Sequence, residues 1–182
     1  MTVPIAYTPG FVTDPGSAFA SLWNELEWER RGNTPRREYY CNEVPKAYAY
    51  GVAAFAREYL PRFWHPTILA IKSKVESAIN AKMEVCFLNG YENSRDALGW
   101  HADDSDSMDD ARPIAIVTLG AAREIWFAPN DDMTDVTKLV LESGSLCVMA
   151  PGMQDTHKHR IPKAGFECGP RISLTFRGYV AA

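Results

Sequence analysis

At 182 residues, 46% of them hydrophobic and 23% charged, the chain can bury one sizeable core and has the balance of a water-soluble globular domain. Four scattered cysteines with no CxxC pair (Cys41, Cys86, Cys147, Cys168) exclude a disulfide framework and a zinc ribbon, and no run approaches the ~18 apolar residues of a membrane span. A net charge of −4 excludes a protein that is basic all over, so any contact with a polyanion has to come from local patches: Arg30-Arg31, Arg36-Arg37 or Lys158/Arg160/Lys163.

The N-terminus shows no charged segment followed by an apolar run, and cytoplasmic residence without membrane contact is expected. Phe19, Leu22, Trp23 and Leu26 recur at helical spacing behind Asp14-Pro15-Gly16-Ser17, which carries the start signals of a helix. Arg31 to Pro45 reads as a charged loop. Pro66 suits a first helical position, and Ile68, Ile71, Val75 and Ile79 form the buried stripe of a helix over 66–80. His65, directly before it, reads as structural.

From Met83 the pattern turns to short strands rich in β-branched and aromatic residues, expected at 83–88, 114–119, 124–127, 138–141, 145–149 and 172–176. Ser143-Gly144 and Pro151-Gly152 mark turns between them. Strands without intervening helices predict an α+β fold of sandwich or jelly-roll type. Residues 81–182 would form its core and 1–80 a helical lid region, within a single domain over 1–182.

Chemistry concentrates in His101-Ala102-Asp103, His157, His159 and the run Arg171 to Arg177. Two imidazoles and one carboxylate are the ligand set of a non-haem iron(II) oxygenase. His101 and Asp103 would share a face if both lay on a strand, and spacing alone does not choose between His157 and His159. Arg171, Ser173, Thr175 and Arg177 share one face of a strand, with Leu174 and Phe176 on the other. That polar face is either exposed to solvent or the lining of a cavity, and in a cavity the arginine pair would hold an anionic dicarboxylate.

Several blocks then carry a specific resemblance: Leu88-Asn89-Gly90-Tyr91, Gly99 to Asp104, Pro113 to Arg123, Gly144 to Met149, His159-Arg160-Ile161-Pro162 and Pro170 to Arg177. Their order resembles the AlkB family of iron(II)- and 2-oxoglutarate-dependent dioxygenases, on the branch that includes the DNA-repair demethylases, and implies a double-stranded β-helix (jelly roll) with supporting helices and an N-terminal lid region. The resemblance implies His101, Asp103 and His159 as metal ligands. His159 is chosen over His157 because related sequences place this ligand twelve residues before the first arginine, as 171 − 159 does here. It implies Arg171 on the distal carboxylate of 2-oxoglutarate, Arg177 near its metal-bound end, and Asn89, Tyr91 and Ser173 completing that site.

The family usually carries asparagine where this chain has Ser173, and its DNA-repair members carry glutamate where this chain has Ser105. The first departure touches the positioning of 2-oxoglutarate, the second the reading of the base. By the same resemblance, Tyr48 and Tyr50 are candidates to wall the base pocket, with Trp100 and Asp104 near its entrance and Arg36 and Arg37 on phosphates. The implied reaction consumes Fe(II)-bound O2 and 2-oxoglutarate, hydroxylates an N-methyl group such as that of 1-methyladenine or 3-methylcytosine, and releases formaldehyde, succinate and CO2. The implied partner is DNA or RNA, single-stranded or a flexible duplex, and the protein is expected to be a monomer. The alternative is the same oxygenase core acting on a modified base, a protein side chain or a small metabolite, and a binding module without activity is the third reading.

Overall fold

The computed structural model describes residues 3–32, 34–50 and 57–180. Among the described residues twelve strands and three helices follow one another: β1 (Ile5–Thr8), α1 (Pro15–Glu25), β2 (Arg37–Asn42), β3 (Tyr48–Tyr50), β4 (Arg57–Tyr59), α2 (Pro66–Ile79), β5 (Val85–Tyr91), β6 (Leu98–His101), β7 (Ile114–Gly120), β8 (Arg123–Pro129), β9 (Thr137–Leu141), β10 (Leu146–Met149), α3 (Met153–Thr156), β11 (His157–Ile161) and β12 (Arg171–Arg177). They form a six-stranded sheet in the order β1-β10-β7-β12-β5-β2, a four-stranded sheet in the order β6-β11-β8-β9, and the small hairpin β3-β4.

This is the expected jelly roll. Ile114, Ile116, Ile125, Phe127, Leu141 and Met149 pack between the two large sheets. On the other face of the six-stranded sheet, Leu88, Val117, Leu119, Ile172, Leu174 and Phe176 meet Leu22 of α1 and Ile68, Ile71 and Val75 of α2. Both helices begin where the sequence signals them. Asp14 Oδ1 accepts from the Ser17 N–H, and His65 Nδ1 accepts from the Thr67 N–H, which confirms His65 as a cap. Asn80 closes α2 in the left-handed conformation at φ 52°.

Two expectations are corrected. The stretch 31–45 is not all loop: β2 pairs with β5, from Arg37↔Gly90 to Asn42↔Val85. Its strand character was hidden because charged residues sit on both faces, Arg37 paired with Glu92 on one and Glu38 buried against Arg36 on the other. The boundary at residue 80 also dissolves, since β1 and β2 are the outer strands of the six-stranded sheet. The hairpin β3-β4 alone lies apart from the large sheets, and its Tyr48 and Tyr59 pack on Tyr40 and Phe87 of β2 and β5.

Gly120 ends β7 opposite Arg171, with φ at 87°. A Cβ there would overlap the Pro170 carbonyl oxygen and the ring of Phe19, so the glycine lets the chain approach β7 closely just before β12 begins. Gly120→Ala is expected to lower unfolding free energy by about 1–3 kcal/mol, read from urea midpoints, because both the backbone region and the space disfavour a side chain.

Candidate active site

Alternation along β12 sends Arg171, Ser173, Thr175 and Arg177 between the two sheets, and all seven residues of the strand are buried. The polar face therefore lines a cavity. On β5, Tyr91 and Asn89 stand opposite Arg171 and Ser173 and enter the same space.

The partner sheet contributes the histidines through an irregularity. His101 of β6 pairs with His159 of β11, and Leu98 with Ile161, which leaves Gly99 and Trp100 opposite Arg160 alone. This is a β-bulge. In a regular strand residues three apart face opposite ways, whereas here Leu98 and His101 both line the cavity. Asp103 does not share the strand of His101 but lies beyond its end and is held by tertiary contacts: its N–H donates to Gln154 Oε1 at 2.9 Å and its Oδ1 accepts from Arg177 Nη2.

His101 Nε2 and His159 Nε2 each lie 3.7 Å from a carboxylate oxygen of Asp103. One ligand atom from each of the three residues falls within 4.8 Å of the others, so together they can hold a metal ion. The Nδ1 atom of His101 sits 2.9 Å from the Gly99 carbonyl oxygen, and donation there leaves Nε2 as the ligand atom.

Burial lowers the pKa of His101, with Asp103 opposing it, and burial together with the neighbouring His101 lowers that of His159 to about 3. Burial pushes the Asp103 carboxyl upward, but Arg177 and the two imidazoles outweigh it and the net shift is down. Neutral imidazoles beside an ionised carboxylate are the protonation states a divalent metal requires.

Beside this cluster sits a guanidinium with too few partners. Arg171 is fully buried, donates from Nη2 to Thr118 Oγ1 at 3.0 Å, and has no hydrogen-bond partner for Nε or Nη1. Desolvation brings its pKa down to about 10, which leaves it charged at neutral pH. The Tyr91 hydroxyl and Arg177 Nε are likewise buried without partners.

The cavity opens past Leu98 and Asn89 toward a mouth walled by Tyr48, Tyr59, Phe87 and Arg36. Tyr48 and Tyr59 stack at 6.1 Å between centroids, and Phe87 meets Tyr59 edge-on at 4.9 Å. Arg36 is tied to Asn89 Oδ1 at 2.6 Å and to Glu38 at 2.8 Å.

Three expected residues fall elsewhere. Arg37 turns to the helix side of the six-stranded sheet, where it pairs with Glu92 at 2.6 Å and stacks on Trp23, because adjacent strand residues face opposite ways. Trp100 is on the outer side of the bulge against Arg160, and exposed Asp104 does not line the cavity or its mouth. Tyr50 lies in β3, but its side chain is outside the described residues. The sequence reading missed Gln154, Thr118, Tyr59 and Phe87. Thr118 is recoverable from register as the neighbour of Ser173, whereas Gln154, 51 residues from the backbone N–H it holds, left no local signal.

The 2OG-Fe(II) oxygenase superfamily model matches residues 20–177. The chain belongs to that superfamily. Within it, the relatives are of AlkB type. The chain is 30% identical over 191 residues to bovine alpha-ketoglutarate-dependent dioxygenase alkB homolog 3, covering 95% of this chain and 65% of that protein. It is 29% identical over 187 residues to the human counterpart, covering 93% and 64%. The mouse DNA oxidative demethylase ALKBH2 matches at 29% over 124 residues, 64% of this chain and 52% of that one. The chain thus spans a little under two thirds of the homolog 3 proteins. The solved structure of OsALKBH1 superposes with a TM-score of 0.68 over 98% of both chains at 16% identity, which supports the fold.

Fe(II), 2-oxoglutarate and O2 are the cofactor set of this superfamily, and the residues present fit them. His101, Asp103 and His159 supply the donor types that iron(II) takes. The unpartnered N–H groups of Arg171 and the Tyr91 hydroxyl are what a carboxylate would satisfy.

Gln154→Ala should weaken Mn(II) binding by about 10–100-fold, measured by titration, since it frees the main chain that aims Asp103. Below the ordinary histidine pKa of 6.5 the unfolded chain takes up a proton that native His159, at about 3, refuses. The stability of metal-free protein should therefore fall as pH drops from about 6.5 toward 3, and less steeply in His159→Gln. An equal loss of stability in both proteins between about pH 7.5 and 5, read from urea midpoints, would contradict this.

Proposed function

We propose that this chain is an Fe(II)- and 2-oxoglutarate-dependent dioxygenase that removes N-methyl groups from alkylated nucleobases, such as 1-methyladenine and 3-methylcytosine, in DNA or RNA. One observation carries the reading: a buried His-Asp-His cluster beside the under-bonded Arg171, beneath an aromatic mouth. The names of the relatives, a dioxygenase and a DNA oxidative demethylase, support the same chemistry.

Bound iron supplies the activation of O2. The protein's residues do the rest. Arg171 and Tyr91 would grip one carboxylate of 2-oxoglutarate, while Asn89, Ser173 and Arg177 line the space toward the metal ligands. Arg177 also holds Asp103 ionised and oriented. Apolar Ile116, Ile125 and Ile161 exclude water from the reacting centre.

Overall, N–CH3, O2 and 2-oxoglutarate would give N–CH2OH, succinate and CO2, and the hemiaminal would release formaldehyde to leave N–H. A base in a duplex has to leave the stack to reach this depth, which favours single strands or flexible duplexes. Tyr48, Tyr59 and Phe87 offer ring faces and edges to it, and Arg36 a cation at the rim.

A second reading, another substrate on the same core, is favoured by Ser105. Its Oγ lies 3.0 Å from Ser107 Oγ, and it is not among the residues lining the cavity or mouth, so the carboxylate found there in DNA-repair relatives has no equivalent.

The test is succinate and formaldehyde release by iron-loaded protein with oligonucleotides carrying 1-methyladenine or 3-methylcytosine. Formaldehyde in step with succinate is expected, falling by at least about 100-fold in His159→Ala and Arg171→Ala. Succinate release that no methylated oligonucleotide stimulates would keep the oxygenase and overturn the nucleobase reading.

A further inference from the structure

The outer face of the four-stranded sheet carries a row of side chains that the cavity does not use. The bulge leaves Trp100 beside Arg160, and the register sets Arg160 opposite Trp126 and Trp126 opposite Lys138. The guanidinium carbon of Arg160 lies 5.2 Å from the ring centre of Trp100 and 4.3 Å from that of Trp126. Lys138 Nζ lies 4.2 Å from the Trp126 ring. Indole, guanidinium, indole and ammonium thus run in one line across all four strands.

Stacking occupies the faces of a guanidinium and leaves its N–H edge for other partners. Among the described residues, Arg160 has neither a hydrogen bond nor an ion pair, and its Nε is buried without a partner. A cation held this way has already lost side-chain freedom, so an incoming anion need not order it.

The charge of the face points to that anion. Its outward ionisable side chains are Lys138, Lys158 and Arg160 against Glu124 alone, in a chain whose net charge is −4. The path is also continuous. β6 is the edge strand of this sheet, and its Leu98 and His101 line the mouth of the cavity. A chain leaving that mouth over β6 meets Trp100 first and then Arg160.

We propose that this row is a backbone-phosphate docking site for the single strand whose methylated base occupies the cavity. The proposal rests on the nucleobase reading above. Arg160 and Lys138 would each hold a phosphate, with Lys158 adding to the field, while the bases stay unread. Affinity, not base choice, would come from this face.

The probes are fluorescein-labelled single-stranded DNA of about fifteen nucleotides and a trinucleotide, both carrying 1-methyladenine, with protein loaded with Mn(II) and 2-oxoglutarate. Dissociation constants are measured over a salt series for the native chain, Arg160→Gln, Lys138→Gln and the double variant.

Each single variant is expected to weaken the longer strand by about 3–10-fold and to shrink its salt slope by about 0.7, the double variant by about twice that slope, with the trinucleotide unaffected. Lys138 lies on β9, two strands from His159, so its variant separates docking from disturbance of the metal ligand. Unchanged affinity and slope, or equal losses for both probes, would overturn the proposal. If the native chain binds neither probe and, loaded with iron instead of Mn(II), releases no formaldehyde from either, the nucleobase reading itself has failed, and the docking site falls with it.

Discussion

Two guanidiniums buried on one strand set the terms for the whole molecule. Arg171 and Arg177 lie buried between two β-sheets, Arg171 with no exposed surface, and among the described residues Asp103 is the only carboxylate bonded to either. Burying an ion costs several kcal/mol even after relaxation, and the single hydrogen bond from Arg171 to Thr118 returns about 1.5–3 kcal/mol. The deficit is largest at Arg171. An anion with two oxygens would remove it, and a strand that keeps such a charge in place without one stores affinity for that anion.

The three candidate metal ligands are aimed by three different kinds of support. His159 is aimed by regular pairing of β11, His101 by a bulge in β6, and Asp103 by Gln154 and Arg177 after the strand has ended. A regular sheet edge could not turn three donors to one point. The bulge has a second consequence on the outer face, because the residue it displaces, Trp100, becomes the near side of the arginine sandwich. One local irregularity thus shapes both faces of the sheet.

The hairpin β3-β4 is fastened by charge as well as by rings. Glu38 of β2, 1% exposed, accepts from the Tyr59 hydroxyl and pairs with Arg36 and, at 3.8 Å, with Arg57. Because Arg36 also holds Asn89, the mouth, the hairpin and the cavity wall share one polar network. Networks of this kind are rigid while every member is satisfied. The mouth proposed for the substrate and the cavity proposed for 2-oxoglutarate are therefore mechanically adjacent.

The sequence by itself determined much of this. Periodicity placed the two longer helices, runs rich in β-branched and aromatic residues placed the core strands, alternation exposed the polar face of β12, and the ordered motifs identified the superfamily and its ligand types. The remainder was decided by tertiary structure. β2 was invisible because its charges are neutralised by partners distant in the chain, such as Glu92 for Arg37. The outward turn of Trp100 depended on a bulge that exists only relative to β11, and the role of Gln154 depended on a contact across 51 residues. Local patterns report what a residue prefers, and these positions were settled by what happened to stand opposite them.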